Sequence, residues 1–204
     1  VTSTGAHGLG IHGAALLGNP WIGRFVEHHH LLHEDLADPL ALLRGQRTDT
    51  SLRRFWAYAG SASPETARPE ETSAYTQLMA ASQQAVAGEI LAAYDFGQHR
   101  HLMDVGGSNG TFIARAAARH PALARTLFDL PGVISHARDS DAIRALGDRL
   151  SVHGGSFLSD PLPQGADVIT LIRIPHDHDD ESVLKLLQAV RSALAPGGKL
   201  VVAE

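Results

Sequence analysis

The sequence predicts an α/β fold: a parallel sheet with helical crossovers, preceded by a helical region. Three observations carry this. After Asp95, short apolar runs alternate with helical segments. A glycine-rich turn separates the first such run from the first helix, and the stretch from Ile11 to about Tyr94 has interrupted helical periodicity. Strand, helix, strand in repetition implies parallel pairing with right-handed crossovers.

From Ile11 to about Tyr94 the helical pattern is broken at Asn19-Pro20, at Asp38-Pro39 and through Ser61–Pro69. Its longest piece is expected from Glu71 to Tyr94, where Tyr75, Leu78, Met79, Ser82, Val86 and Ile90 would share one face and bridge the two halves. Beyond it, strands are expected at His101–Val105, Arg125–Leu130, Leu150–Gly154, Asp167–Ile174 and Lys199–Ala203. Helices are expected at Thr111–Arg119, Val133–Leu146 and Glu181–Leu194, the last with Val183, Leu187, Val190 and Leu194 on one stripe. This gives a helical region over 1–93 and a sheet domain over 94–204. Lys199–Glu204 reads as a buried strand at the chain end, which would leave an apolar edge, so the chain is expected to be a fragment.

Composition narrows the function classes. Hydrophobic residues at 44% and charged residues at 19% exclude a disordered tail, and no apolar run reaches the ~20 residues of a membrane helix. A net charge of −5 with no basic cluster argues against nucleic acid as a partner. The absence of cysteine excludes disulfides and thiolate metal sites and permits a cytosolic location, and no signal-peptide pattern opens the residues shown.

Asp104-Val105-Gly106-Gly107-Ser108-Asn109-Gly110 follows the first strand and opens a helix at Thr111. Glycines there let backbone approach a ligand while free N–H groups at the helix start offer donors. The dinucleotide fingerprint would require glycine where Val105 stands; an acid, Asp104, closes the strand instead. Asp129 ends the second strand nineteen residues beyond Gly110, where a carboxylate accepts ribose hydroxyls. The alternative is a tight turn beside a solvated Asp.

Arg173-Ile174-Pro175-His176-Asp177-His178-Asp179-Asp180-Glu181 lies where the fourth strand ends, the ligand-binding edge of an open α/β sheet. His176 suits a general base. A metal held by His176, His178 and the acids is the competing reading, and Asp179 with Asp180 reads as the start of the next helix. His29 and His33 stand one helical turn apart, a spacing open to a metal, but no acid motif accompanies them and a surface helix is the preferred reading. Phe55, Trp56 and Tyr58 read as core, because basic interleaving is absent.

These segments, together with Leu127–Pro131, Gly154–Phe157, Asp160–Pro163, Ala166-Asp167 and Leu194–Gly198, fall in the order and spacing of a known family. Over essentially its whole length the chain resembles the S-adenosylmethionine-dependent O-methyltransferases of the plant caffeate/hydroxyindole type. Gly13–Pro20 and Asp35–Gly45 look most like the bacterial members that methylate 1-hydroxycarotenoids. The resemblance implies a helical, winged-helix-type dimerisation region whose N-terminal part is missing, then a Rossmann-like methyltransferase domain truncated at its C-terminus. It implies S-adenosyl-L-methionine as cofactor, contacted by Asp104, Gly106, Gly107, Gly110, Asp129, Leu130, Ser156, Phe157 and Arg173. It also implies His176 as base with Asp177 as its orienter, Met79 in the acceptor pocket, and no metal. Ser108 replaces a usual third glycine, Ser156 a usual acid, and Pro175 and His178 a usual Leu and Trp. The implied activity is methyl transfer to a hydroxyl of an apolar small molecule by a cytoplasmic homodimer, peripheral to membrane if the acceptor is a carotenoid. An NAD-type oxidoreductase and a non-catalytic cofactor-binding or dimerisation module are the alternatives.

Overall fold

The computed structural model describes residues 5–55, 82–83, 85–138 and 141–204. Met79, Trp56, Tyr58 and most of the expected bridging helix lie outside them. The chain divides into two compact units, Val1–Ser82 and Gln83–Glu204.

In the first unit, α1 (Ile11–Gly18), α2 (Pro20–Asp35), α3 (Pro39–Leu43) and α4 (Ser51–Phe55) are separated at the expected Asn19-Pro20 and Asp38-Pro39 steps. Both prolines occupy the first helical turn, where a missing N–H costs nothing. Asp38 caps α3 by accepting from Ala41 N–H at 3.0 Å. Asp35, only 2% exposed, ties α2 to α4: its two carboxylate oxygens accept from Ser51 and Leu52 N–H, each at 2.8 Å, and one also from Arg47 Nη2 at 3.3 Å. On α2, His29 Nδ1 lies against the carbonyl of Phe25 and His30 Nδ1 against that of Glu27. No metal-binding cluster occurs among the described residues.

The second unit opens with α5 (85–93) and continues β1 (His101–Val105), α6 (Thr111–Arg119), β2 (Ala124–Asp129), α7 (Pro131–Arg138), α8 (Asp141–Arg144), β3 (Leu150–Gly154), β4 (Ala166–Ile172), α9 (Asp180–Ala193) and β5 (Leu194–Ala203). The five strands form one parallel sheet in the order β3-β2-β1-β4-β5. Side-chain alternation sorts the core onto its two faces. Leu102, Leu127, Val168 and Ile172 join Phe112, Ile113 and Ile134 in one buried cluster. Met103, Val105, Phe128, Ile169 and Leu171 join Leu186 and Val190 in the other. Ala87, Ile90 and Leu91 of α5 pack in the first cluster, so these residues, placed with the helical region by the sequence reading, are core residues of the sheet unit.

Most element ends fall within two residues of expectation, and three features depart further. The helix expected over Val133–Leu146 begins at Pro131, and its described residues are those of α7 and α8. The strand expected from Lys199 begins at Leu194, and an irregularity in its pairing with β4 absorbs the Pro196-Gly197-Gly198 segment, with Gly197 at φ +78°. The buried stripe of α9 is Leu186, Val190 and Ala193, whereas Leu187, expected inside, is 37% exposed.

Candidate active site

β1 and β2 are neighbours, and their carboxyl ends place Asp104 and Asp129 beside one glycine turn. Gly106 turns the chain at φ +73°, a left-handed conformation that a side chain disfavours, and its N–H donates to Phe128 O at 2.8 Å. At Gly107 a Cβ would overlap Leu127 Cδ1 and come 2.5 Å from Asp104 Oδ2. Bare backbone is therefore required exactly where the acid faces the turn. Ser108 also has positive φ, +53°, which accounts for a glycine being at home there. It is held in place by its N–H, which donates to Asp129 Oδ2 at 2.7 Å. Gly110, left-handed as well, ends the turn as the N-cap of α6.

Asp104 is not solvated and Asp129 is half-buried behind two backbone donors, so neither is the free surface acid of a simple turn. Asp104 is 1% exposed; its Oδ1 accepts from Thr170 Oγ1 on β4 at 2.5 Å, while Oδ2 is buried with no partner. Burial, with the nearby Asp129 charge adding to it, pushes the Asp104 carboxyl up to about 7 against the hydrogen bond from Thr170. Asp129 accepts from Ser108 and Leu130 N–H, both at 2.7 Å, yet burial still raises it to about 6. Two carboxylates so placed, one with an orphaned oxygen, make a site that a cation would satisfy.

The other expected residues gather around this turn. Gly155 N–H donates to Asp129 O at 2.9 Å, seating the Ser156-Phe157 corner at the tip of β3. Ser156 N–H donates to Asp160 Oδ2 at 2.8 Å, and the Ser156 hydroxyl accepts from Leu158 N–H at 3.3 Å. The Phe157 ring meets His178 edge-on, centroids 5.2 Å apart. Arg173 leaves β4 at φ +58° with its N–H donating to Ala203 O at 2.7 Å. Ile174 then packs so closely on Gly106 that a Cβ there would overlap it, which locks the His176 loop onto the glycine turn.

His176, exposed at the surface of this loop, is bracketed by carboxylates: Nδ1 bonds Glu204, and Nε2 lies 3.4 Å from Asp177 Oδ1. A carboxylate only accepts, so in the neutral ring the closer Glu204 contact favours the proton on Nδ1, and Nε2, facing Asp177, is the nitrogen that can take a second. Asp179 caps α9 through Ser182 N–H at 2.8 Å, and Asp180 begins the helix, as expected. The sequence reading missed Glu204 and Thr170. An acid at the tip of the last strand, beside the tip carrying His176, was the available signal for the first; a threonine facing a buried aspartate across paired strands carries none in one sequence.

Residues 33–204 match the O-methyltransferase domain family. The demethylspheroidene O-methyltransferase of Cereibacter sphaeroides is 46% identical over 200 residues, which is 98% of this chain and 52% of that protein. Among solved structures, the S-adenosylmethionine-dependent methyltransferase SibL in its apo form superposes with a TM-score of 0.77 at 26% identity, over 99% of this chain and 60% of that one. Human N-acetylserotonin methyltransferase in complex with SAM gives a TM-score of 0.61 at 25% identity, over 69% and 39% of the respective chains. The chain thus spans about half the length of the curated relative. With a family match over this much of its length and the expected glycine turn in place, the chain belongs to the O-methyltransferase domain family.

Proposed function

We propose that the protein transfers a methyl group from S-adenosyl-L-methionine to a hydroxyl of an apolar small molecule, a hydroxycarotenoid in the first instance. The observation that carries the reading is the pair of carboxylates with raised proton affinity, buried Asp104 and half-buried Asp129, around a turn whose Gly107 leaves no room for a side chain. Such a pair suits a sulfonium cation better than the pyrophosphate of a nicotinamide cofactor, and the family gives the oxidoreductase alternative no support. The name of the 46%-identical relative supports the carotenoid class.

Asp104, Gly106 and Gly107 would hold the amino-acid end of the cofactor. Asp129, whose oxygens keep lone pairs beyond those used by Ser108 and Leu130, would accept its ribose hydroxyls. Ser156 and Phe157 would border the adenine. The bound cofactor supplies an electrophilic methyl on sulfur, transferred in line to the acceptor oxygen. His176 Nε2 would take the hydroxyl proton, worth about 10²–10⁴-fold in rate. Glu204 holds the ring and its tautomer, and Asp177 faces the imidazolium once it forms. Met79 would line the acceptor side.

Exposed Ile11, Leu17 and Leu43 in the first unit support its role in homodimer formation. No helix among the described residues is long and apolar enough to cross a membrane, and we place the enzyme in the cytoplasm, touching membrane only to collect a lipophilic acceptor. The test is transfer of a labelled methyl group from S-adenosyl-L-methionine to a detergent-dispersed 1-hydroxycarotenoid by the complete protein. Turnover that His176→Gln lowers by about 10²–10⁴-fold, with S-adenosylhomocysteine binding retained, supports the reading. Binding without transfer to any hydroxylated acceptor would instead establish the non-catalytic module.

A further inference from the structure

At the opposite edge of the sheet, the start of β2 carries a buried guanidinium. Arg125 is 4% exposed, yet its Nε is buried without a hydrogen-bond partner. It lies four residues before Asp129 on the same strand, about 13 Å away at the rise of a parallel strand. The strand therefore separates it from the candidate active site. Burial, then the neighbouring Arg149, both act against its charge, and among the described residues no carboxylate perturbs it. A guanidinium does not shed its proton to escape this, so the described residues leave it short of a negative charge.

Arg125 and Arg149 line a recess of about 340 Å³ whose remaining walls are small and apolar, among them Ala114, Ala117, Pro121 and Leu146. α6 supplies one wall, and the segment after α8 the other. Arg149 is exposed and anchored at the rim by its Nη1, which donates to Ala122 O at 3.1 Å. A volume of this size equals roughly ten waters, enough for a compact organic molecule. Planar guanidinium groups recognise carboxylate and phosphate oxygens by charge-assisted hydrogen bonds, and Arg125 keeps donors for that purpose.

We propose that this recess is a binding site for a small organic oxyanion, a carboxylate or phosphate joined to a compact apolar body, held by Arg125 and Arg149. The anion neutralises the buried guanidinium, and the apolar body fills the alanine-lined wall. The site is separate from the cofactor turn, so its occupancy does not depend on methyl transfer.

The experiment is titration of the complete protein with hexanoate and with phenyl phosphate, followed by amide NMR. The expected result is a saturable shift of amides in 114–125 and 145–149, with S-adenosylhomocysteine affinity intact. Arg125→Met is expected to weaken each probe about ten- to a hundredfold. Arg149→Ala, a surface change that leaves the core untouched, is expected to weaken it as well, and it carries the test alone if Arg125→Met does not fold. Sedimentation with vesicles containing phosphatidic acid separates the sources: co-sedimentation lost in Arg149→Ala identifies a lipid phosphate, and its absence alongside phenyl phosphate binding identifies a soluble ligand. No saturable response in the millimolar range, or equal affinity in both variants, would overturn the proposal.

Discussion

Replacing Asp104 by Asn tests whether this buried carboxylate is held at a cost that only a ligand relieves. The two side chains are nearly isosteric, and an amide oxygen still accepts from Thr170. In the free protein the Asp104 carboxyl is raised from 3.8 to about 7. The native state therefore keeps a proton that the unfolded chain has lost, and stability falls as pH rises from about 4 to about 7. Three powers of ten in proton affinity amount to roughly 4 kcal/mol. Asn carries no such slope. Its amide, facing the orphaned Oδ2 position, costs roughly 1–3 kcal/mol for an unmatched donor. At about pH 8 the ligand-free variant is thus expected to be more stable than the wild type by about 1–3 kcal/mol. At about pH 5 it is expected to be equal or less stable. Urea unfolding of both proteins at the two pH values, without cofactor, reads this directly. Wild type and variant losing stability in parallel between them would refute the reasoning.

Other substitutions probe the turn, the base and the helix packing. Gly107→Ala forces a methyl group against Leu127 and Asp104, both buried, and is expected to cost about 1–3 kcal/mol in urea unfolding while weakening S-adenosylhomocysteine in calorimetry. Glu204→Leu frees the His176 ring and is expected to lower kcat about 10- to 100-fold at unchanged cofactor affinity. Leu186→Ala empties a fully buried position and is expected to cost about 2–5 kcal/mol, whereas Leu187→Ala, on the exposed side of the same helix, should stay within about 0.5 kcal/mol by the same measurement.

The sheet was legible because the strands are apolar runs bounded on at least one side by Gly, Pro or Asp, and His101–Val105 and Leu150–Gly154 coincide with expectation to the residue. Pro131 misled because proline reads as a break, although it is well suited to the first turn of a helix. Pro196-Gly197-Gly198 likewise reads as a turn, and only its pairing partner β4 reveals that a strand passes through it. The stripe on α9 was rotated because two apolar stripes overlap there, and burial, not spacing, selects Leu186 over Leu187. The glycine turn and both acids were legible from local order alone. What they do electrostatically was not, since the burial that raises Asp104 and Asp129 comes from strands distant in sequence.

Binding of S-adenosyl-L-methionine to the complete protein, measured by calorimetry at about pH 5.5 and about pH 8 in buffers of different ionisation enthalpy, tests the central claim most directly. If the Asp104 and Asp129 carboxylates surround the cation, both must ionise to do so. Affinity then rises with pH by up to about tenfold per unit for each acid below its raised value, and protons are released on binding at the lower pH. Affinity that is the same at both pH values with no proton release, or no binding at either, would contradict the account.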